Sequence, residues 1–341
     1  MLSKILREDD VRKAKKYIEK GESFAIVIHS APDGDALGSS LGLFHFLESL
    51  GKDKVSIIAP NDYPPCYKWM AGVRDIVIHD RYPDFAEHLI RTADVIFCLD
   101  FNEPRRTGRL ASTLVAAEGR RVMIDHHLHP EDFCRVVISH PEISSTSEMI
   151  FRFICRLGMY DLINKQGAEA IYTGMMTDTG AFTFGSNHPE IYTIIENLLR
   201  KGIDKDLIYR RVYQNYSDSR MRMMGYVLHD RMKIYPKKQT ALLTLSQSEL
   251  RRFKYATGDT EGFVNLPLNI EGIIFSAFIR EDPETVKVSL RSTGDFPCNE
   301  FALAFGGGGH KNAAGGEFHG TLLDAIALFE QTLENFSFKF A

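Results

Sequence analysis

The chain has 341 residues and a formal net charge of -4, with 25% charged residues. That length is large for a single hydrophobic core, so two domains are expected. A protein that clamps a long duplex needs a strongly basic face, and this balance points to a small anionic ligand held locally.

The N-terminal segment MLSKILREDDVRKAKK is charged and lacks the apolar stretch of a signal peptide. No apolar run is long enough to span a bilayer. Six short runs rich in β-branched residues follow: 24–29 (FAIVIH), 55–59 (VSIIA), 75–79 (DIVIH), 95–100 (VIFCLD), 121–125 (RVMID) and 135–139 (RVVIS). They read as strands buried on both faces. Helical patterns such as 36–50 lie between them, so an α/β, doubly wound, mostly parallel sheet with helices on both faces is expected. From about Ser144 to Gln214 the pattern turns helical, and 190–200 (EIYTIIENLLR) is amphipathic and stops at Gly202. Segment 217–231 reads as a further helix joining two halves. Runs 240–245, 272–280 and 286–292 then read as strands of a smaller C-terminal α/β domain, the last two forming a hairpin around EDPET. The expected division is a catalytic domain over 1–195, a helical linker over 196–231 and a second domain over 232–341, with a cleft between the domains.

The five cysteines are widely spaced without a Cys-x-x-Cys pair, which argues against a disulfide framework or a thiolate zinc site. The expected compartment is the reducing cytoplasm.

Acids and imidazoles collect at the ends of several of these strands. His29 ends the first, and Asp33 and Asp35 follow in HSAPDGDALGS; Asp100 ends the fourth, and Asp125-His126-His127 the fifth. Asp178 lies in GMMTDTGAF after an apolar helical stretch. Each alone is an ordinary turn, cap or strand end. Together they gather carboxylates that repel one another unless a cation intervenes. Mixed Asp and His donors without cysteine suit Mn2+ first, then Mg2+, Co2+ or Zn2+. Six candidate donors are too many for one ion and fit two that share a carboxylate. Such a pair serves phosphate ester hydrolysis. No G-x-S-x-G elbow is present, and no cysteine neighbours a histidine.

These residues resemble the motifs of the DHH phosphoesterases. HSAPDGDALGS from His29, CLDFNEPRRTG from Cys98, IDHH from Ile124 and TGMMTDTGAFTF from Thr173 occur in family order, and GGGGHKNAAGG from Gly306 resembles the signature of the DHH-associated C-terminal domain. The likeness covers nearly the whole chain and is strongest to the oligoribonuclease (nanoRNase) and pAp phosphatase subgroup. It implies that His29, Asp33, Asp35, Asp100, His126 and Asp178 are metal ligands, with Asp100 the bridge. It implies that His127 contacts substrate phosphate and acts as a general acid, and that Asp125 orients its neighbours. Relatives often carry Asn where this chain has Ala31.

In the second domain, the glycine run can expose successive backbone N–H groups to a phosphate. In VKVSLRS, Val286, Val288 and Leu290 are expected to face one way and Lys287, Ser289 and Arg291 the other. The resemblance makes Ser289, Arg291, Gly307, Gly308, Gly309 and His310 a substrate grip, with Arg280 and Arg106 as further phosphate contacts. The expected activity is hydrolysis of short oligonucleotides to mononucleotides or of pAp to AMP. The alternatives are a cyclic dinucleotide phosphodiesterase and a non-catalytic nucleotide-binding protein. No long duplex and no membrane are expected as partners, and a homodimer stays open.

Overall fold

The structure is a computed structural model, and it describes residues 5–214 and 216–338. The first residues of the charged N-terminal segment and Asn215 of the expected linker lie outside the described residues. Two compact units result, Met1–Asn215 and Tyr216–Ala341.

The first unit runs α1 (Glu8–Lys20), β1 (Ser23–Val27), α2 (Gly34–Ser49), β2 (Lys54–Ala59), β3 (Val77–Ile78), α3 (Pro83–Thr92), β4 (Val95–Leu99), α4 (Ala111–Ala116), β5 (Arg120–Asp125), β6 (Val136–Ser139), α5 (Thr146–Arg156), α6 (Lys165–Asp178), α7 (Pro189–Arg200) and α8 (Lys205–Tyr213). Its sheet has the order β3-β2-β1-β4-β5-β6, and every pairing is parallel. Alternation along the strands explains the two covered faces. Phe24, Ile26, Phe97, Leu99, Val122 and Ile124 join one core cluster with residues of α1, α2, α5 and α6. Ala25, Val27, Ile96, Cys98 and Met123 join another with Ala86 and Ile90 of α3 and Leu114 of α4.

The order reverses between β1 and β4. In an open parallel sheet the carboxyl ends of two such strands splay apart and leave a crevice. His29 follows β1 and Asp100 follows β4, so the fold itself brings these two residues to the crevice.

The second unit runs α9 (Asp218–Asp230), β7 (Met232–Tyr235), β8 (Thr240–Leu245), α10 (Gln247–Arg252), β9 (Phe275–Glu281), β10 (Val286–Ser292), α11 (Cys298–Ala302), β11 (Gly308–His310), β12 (Ala313–Phe318) and α12 (Leu322–Asn335). Its mixed sheet has the order β11-β12-β10-β9-β8-β7. The β9–β10 hairpin is antiparallel as expected, and β8 and β9 are parallel. One face packs on Phe296, Phe301 and Phe329, the other on Met223 and Val227 of α9. No helix among the described residues is long and apolar enough to cross a membrane.

The expected linker over 196–231 is divided between the units. Leu198, Ile208 and Val212 are buried in the first core, while Met223 and Val227 are buried in the second. Its helices read as a connector because their polar faces are long, yet each buries an apolar stripe in its own unit.

Helices α2 and α6 approach closely because Gly38 faces the α6 backbone. A methyl group there would sit 2.6 Å from the Ala170 carbonyl oxygen and 2.7 Å from the Gly174 nitrogen. Alanine gains about 1 kcal/mol of helix propensity, but overpacking against backbone costs about 1–3 kcal/mol. Gly38→Ala is therefore expected to lower the Tm by several degrees in thermal unfolding followed by circular dichroism. An unchanged or higher Tm would show that the two helices can separate freely.

Candidate metal centre

Each donor reaches the crevice by a local device. Asp33 is the N-cap of α2, its Oδ1 accepting from the backbone nitrogens of Asp35 (2.9 Å) and Ala36 (3.0 Å). Asp35, one helical position inside α2, is almost fully buried. Asp178 closes the C-terminal end of α6. Asp100 adopts φ +64°, a left-handed conformation uncommon for a residue with a Cβ and characteristic of strained functional positions.

The imidazoles are aimed by backbone carbonyls. His29 Nδ1 donates to the Ser30 carbonyl at 2.9 Å, and His126 Nδ1 to the Ile143 carbonyl at 3.2 Å. These bonds turn Nε2 towards the carboxylates, an orientation typical of metal-bound histidines. His29 Nε2 lies 3.3 Å from Asp100 Oδ2 and 3.8 Å from Asp33 Oδ1. His126 Nε2 lies 3.6 Å from Asp100 Oδ1, 3.6 Å from Asp178 Oδ2 and 3.9 Å from Asp35 Oδ2. Two clusters, His29 with Asp33 and Asp100, and His126 with Asp35 and Asp178, thus meet on the two oxygens of one buried carboxylate. Either could hold a metal ion, as could Asp100, His126 and His127 together, since the donor atoms of each set lie within 4.8 Å of one another.

The electrostatics fit a cationic guest. Burial and the charges of Asp100 and Asp178 push the Asp35 carboxyl well above its ordinary range. Burial alone disfavours the His29 cation, yet Asp100 and Asp33 raise its pKa to about 10. Burial likewise opposes the His126 cation, and Asp178, Asp100 and Asp35 raise it to about 9. Protons thus stand where a divalent ion would satisfy the same oxygens.

His127 sits beside this pair in a different hydrogen-bond setting. Its Nδ1 donates to Asp125 Oδ1 at 2.7 Å, and its backbone nitrogen donates to Asp125 Oδ2 at 3.0 Å. Asp125 is fully buried, so it fixes the ring and directs Nε2 away from this hydrogen bond.

The two matching family models are the DHH family, N-terminal domain, over residues 23–175, and the DHHA1 domain, over residues 241–336. The bifunctional oligoribonuclease and PAP phosphatase NrnA of Thermus thermophilus is 33% identical over 309 residues, spanning 91% of this chain and 87% of that protein. The chain belongs to the DHH family. An exopolyphosphatase-related protein from Bacteroides fragilis, known as a crystal structure, has TM-score 0.94 and 55% identity, with 98% of each chain covered. The cyclic-di-AMP phosphodiesterase GdpP of Bacillus subtilis is more distant, at 22% identity over 94% of this chain and 49% of that protein.

For this DHH protein, the structure gathers all six acid and imidazole positions singled out in the sequence. The Arg106 carbonyl accepts from the Ser30 nitrogen at 2.8 Å, which ties the second motif to the first. In the second unit, His310 and Arg291 both pair with Ala313, on β11 and β10 respectively. Facing residues of antiparallel strands point the same way, so these two share a face with Ser289. The glycine run is not a loose connector: Gly308 and Gly309 belong to β11, and Gly307 leads into it. Arg280 differs from expectation. Its guanidinium forms a bidentate pair with Asp282 (2.7 and 2.8 Å) and donates to Thr260 Oγ1 (2.6 Å). Those donors are committed within the unit, which favours a structural role over phosphate binding.

The start of α5 plays a part that the sequence reading missed. Asp35 accepts from the backbone nitrogens of Thr146 (2.6 Å) and Ser147 (2.8 Å), and Thr146 Oγ1 donates to Asp100 Oδ1 at 3.0 Å. A helix N-terminus thereby orients two acids of the centre. The signal was Ser145-x-x-Glu148, where Ser145 caps the helix. Gly174 keeps this contact open, because a Cβ there would lie 1.9 Å from Ser147 Oγ and 2.8 Å from Asp35 Oδ1.

Metal uptake is expected to release protons. Below their raised pKa values of about 10 and about 9, His29 and His126 are protonated in the metal-free protein, and a ligating imidazole must be neutral. Affinity for Mn2+ should therefore rise with pH, roughly tenfold per unit for each proton displaced, and flatten above those pKa values. Competition with a chelating dye at pH 6.5, 7.5 and 8.5, values chosen at about one-unit steps, measures this. An affinity independent of pH would show that these imidazoles do not ligate.

Proposed function

We propose that this protein is a two-metal phosphoesterase that cleaves short oligoribonucleotides to mononucleotides and converts pAp to AMP. The observation that carries the reading is the pair of histidine-carboxylate clusters sharing the two oxygens of Asp100. On this reading His29, Asp33 and Asp100 hold one ion, and Asp100, Asp35, His126 and Asp178 hold the other, with Mn2+ the first choice. When bound, such ions activate water and offset the charge that develops on the phosphoryl group. The likeness to NrnA, over most of both chains, supports the substrate class. The more distant likeness to GdpP leaves cyclic-di-AMP as the second choice.

The chain's own residues divide the remaining work. His127, held by Asp125, delivers a proton from Nε2 to the leaving oxygen. Buried Asp35 and Asp100 form the floor of the centre, while Asp33 and Asp178 are more exposed and lie towards solvent. Arg291, Ser289, His310 and the Gly307–Gly309 amides bind a substrate phosphate, and Arg106 is a further candidate for that role. With a net charge of -4, long duplexes are not the expected substrates. The five free thiols suit the reducing cytoplasm.

Steady-state kinetics with Mn2+ on pApA, pAp, a longer RNA, cyclic-di-AMP and pyrophosphate test the reading. Turnover of pApA and pAp well above the others is expected. His127→Ala should lower kcat by about 10²–10⁴-fold, as loss of a general acid does. Arg291→Ala should raise KM by about one to two decades and largely spare kcat, as removal of a charge-assisted hydrogen bond to phosphate does. Faster turnover of cyclic-di-AMP, or normal kinetics for Arg291→Ala, would overturn the respective assignment.

A further inference from the structure

The first unit carries an open surface depression of about 480 Å³, hereafter the cavity, built by none of the residues discussed above. Its wall brings together Lys68, Trp69 and Arg74, from the segment between β2 and β3, and Arg210 and Arg211, from the last turn of α8. No carboxylate lines it, and none of these four cations forms an ion pair among the described residues. The Arg211 guanidinium lies 4.8 Å from the Trp69 ring centroid. The Trp69 Nε1–H is buried and has no acceptor among the described residues, which is uncommon for an indole enclosed in protein.

Two arginines at a helix C-terminus can be explained by the helix dipole alone. That account does not reach Lys68 and Arg74, which come from another segment and face the same space. Asp206 lies one turn before Arg210 and Asp75 adjoins Arg74, but neither lines the cavity, so four like charges face its space in a chain whose net charge is -4. A polyanion removes the repulsion. The volume matches a nucleotide-sized ligand, and guanidinium planes offer stacking surface to a base.

The position narrows the choice. The cavity follows the carboxyl end of β2, the edge of a parallel sheet where ligands bind. In the same connection, Asn61 Oδ1 accepts from the Ala31 nitrogen at 2.6 Å, two residues before Asp33. Asn61 is not a wall residue, but it ties the start of the connection that carries Lys68, Trp69 and Arg74 to the loop that bears the metal-centre acids.

We infer that this cavity is a second phosphate subsite, which binds the sugar-phosphate chain of a single-stranded substrate beyond the bond being cleaved. The inference rests on the reading that the substrate is a short oligonucleotide. It makes the enzyme sensitive to substrate length: a pentanucleotide reaches the cations, and pAp does not.

The test uses Mn2+-loaded protein and the double substitution Arg74→Gln with Arg210→Gln, both exposed positions. Fluorescence anisotropy follows binding of a labelled pentaribonucleotide with phosphorothioate linkages, which resists cleavage, and of the matching dinucleotide. The double variant should bind the pentanucleotide at least about tenfold more weakly, with dinucleotide binding within about twofold of the parent. The slope of log affinity against log salt should fall by about 1.4, or about 0.7 for each phosphate that is no longer neutralised. The kcat/KM for a pentaribonucleotide should fall in parallel, with pAp turnover unchanged. Unchanged pentanucleotide binding and salt slope, or an equal loss for both lengths, would overturn the subsite. So would an effect confined to binding of free ATP, which would assign the cavity to a separate nucleotide. A parent protein that binds as expected but hydrolyses no oligonucleotide would defeat the proposed reaction and leave the subsite standing.

Discussion

Asp100 sends one carboxylate oxygen towards His29 and the other towards His126, from a buried position and a left-handed backbone conformation. A carboxylate placed this way would be untenable without positive charge on both sides. In the metal-free protein that charge is supplied by protonated imidazoles; divalent ions can supply it in their place. The arrangement explains why the acids do not drive the sheet edge apart, and why the two donor clusters lie side by side rather than at separate places. The backbone strain at Asp100 is held by its surroundings: Thr146 Oγ1 donates to the carboxylate, and the Asp100 nitrogen donates to the Ile124 carbonyl at 3.2 Å.

Everything else in the first unit serves that geometry. The parallel sheet opens a crevice between β1 and β4, and the two strands deliver His29 and Asp100 to it. The neighbouring β5 delivers the DHH triplet, in which consecutive histidines are oriented differently because their Nδ1 atoms meet different partners. A backbone carbonyl turns His126 Nε2 towards the acids, whereas Asp125 holds the His127 ring through its Nδ1, the geometry on which the proposed proton transfer rests. Close packing of α2 on α6, and of both on the start of α5, then brings Asp35 and Asp178 to the same place.

The parallel sheet and the donor set were legible in the sequence for the same reason. Strands buried on both faces read as unbroken apolar runs, and a residue at the end of such a run lies at the sheet edge. All six runs became strands within two residues of their expected limits. How 196–231 divides between the two cores was not legible, because its amphipathic helices show one apolar stripe without showing which core receives it. The pairing of Arg280 with Asp282 and Thr260 was not legible, because those partners are determined by the fold of the second unit rather than by strand alternation. The role of Thr146 was missed because the Ser145-x-x-Glu148 cap marks a helix start without showing which carboxylates that start will meet. The basic cavity was missed for a related reason: its four cations come from segments more than 130 positions apart, and only the fold makes them neighbours.

The central claim is that one carboxylate joins two metal sites, and metal stoichiometry under a single isosteric substitution tests it most directly. Protein loaded with Mn2+ and freed of excess by gel filtration is measured by elemental analysis, as the parent and as Asp100→Asn, with circular dichroism to verify the fold. The parent should carry about two ions per chain, as a two-metal centre requires. Asp100→Asn keeps the shape of the side chain and removes its charge, so it should weaken both sites together and retain well under one ion. A variant that keeps one tightly bound ion would show that the sites are independent. A parent that binds a single ion would contradict the shared-carboxylate account altogether.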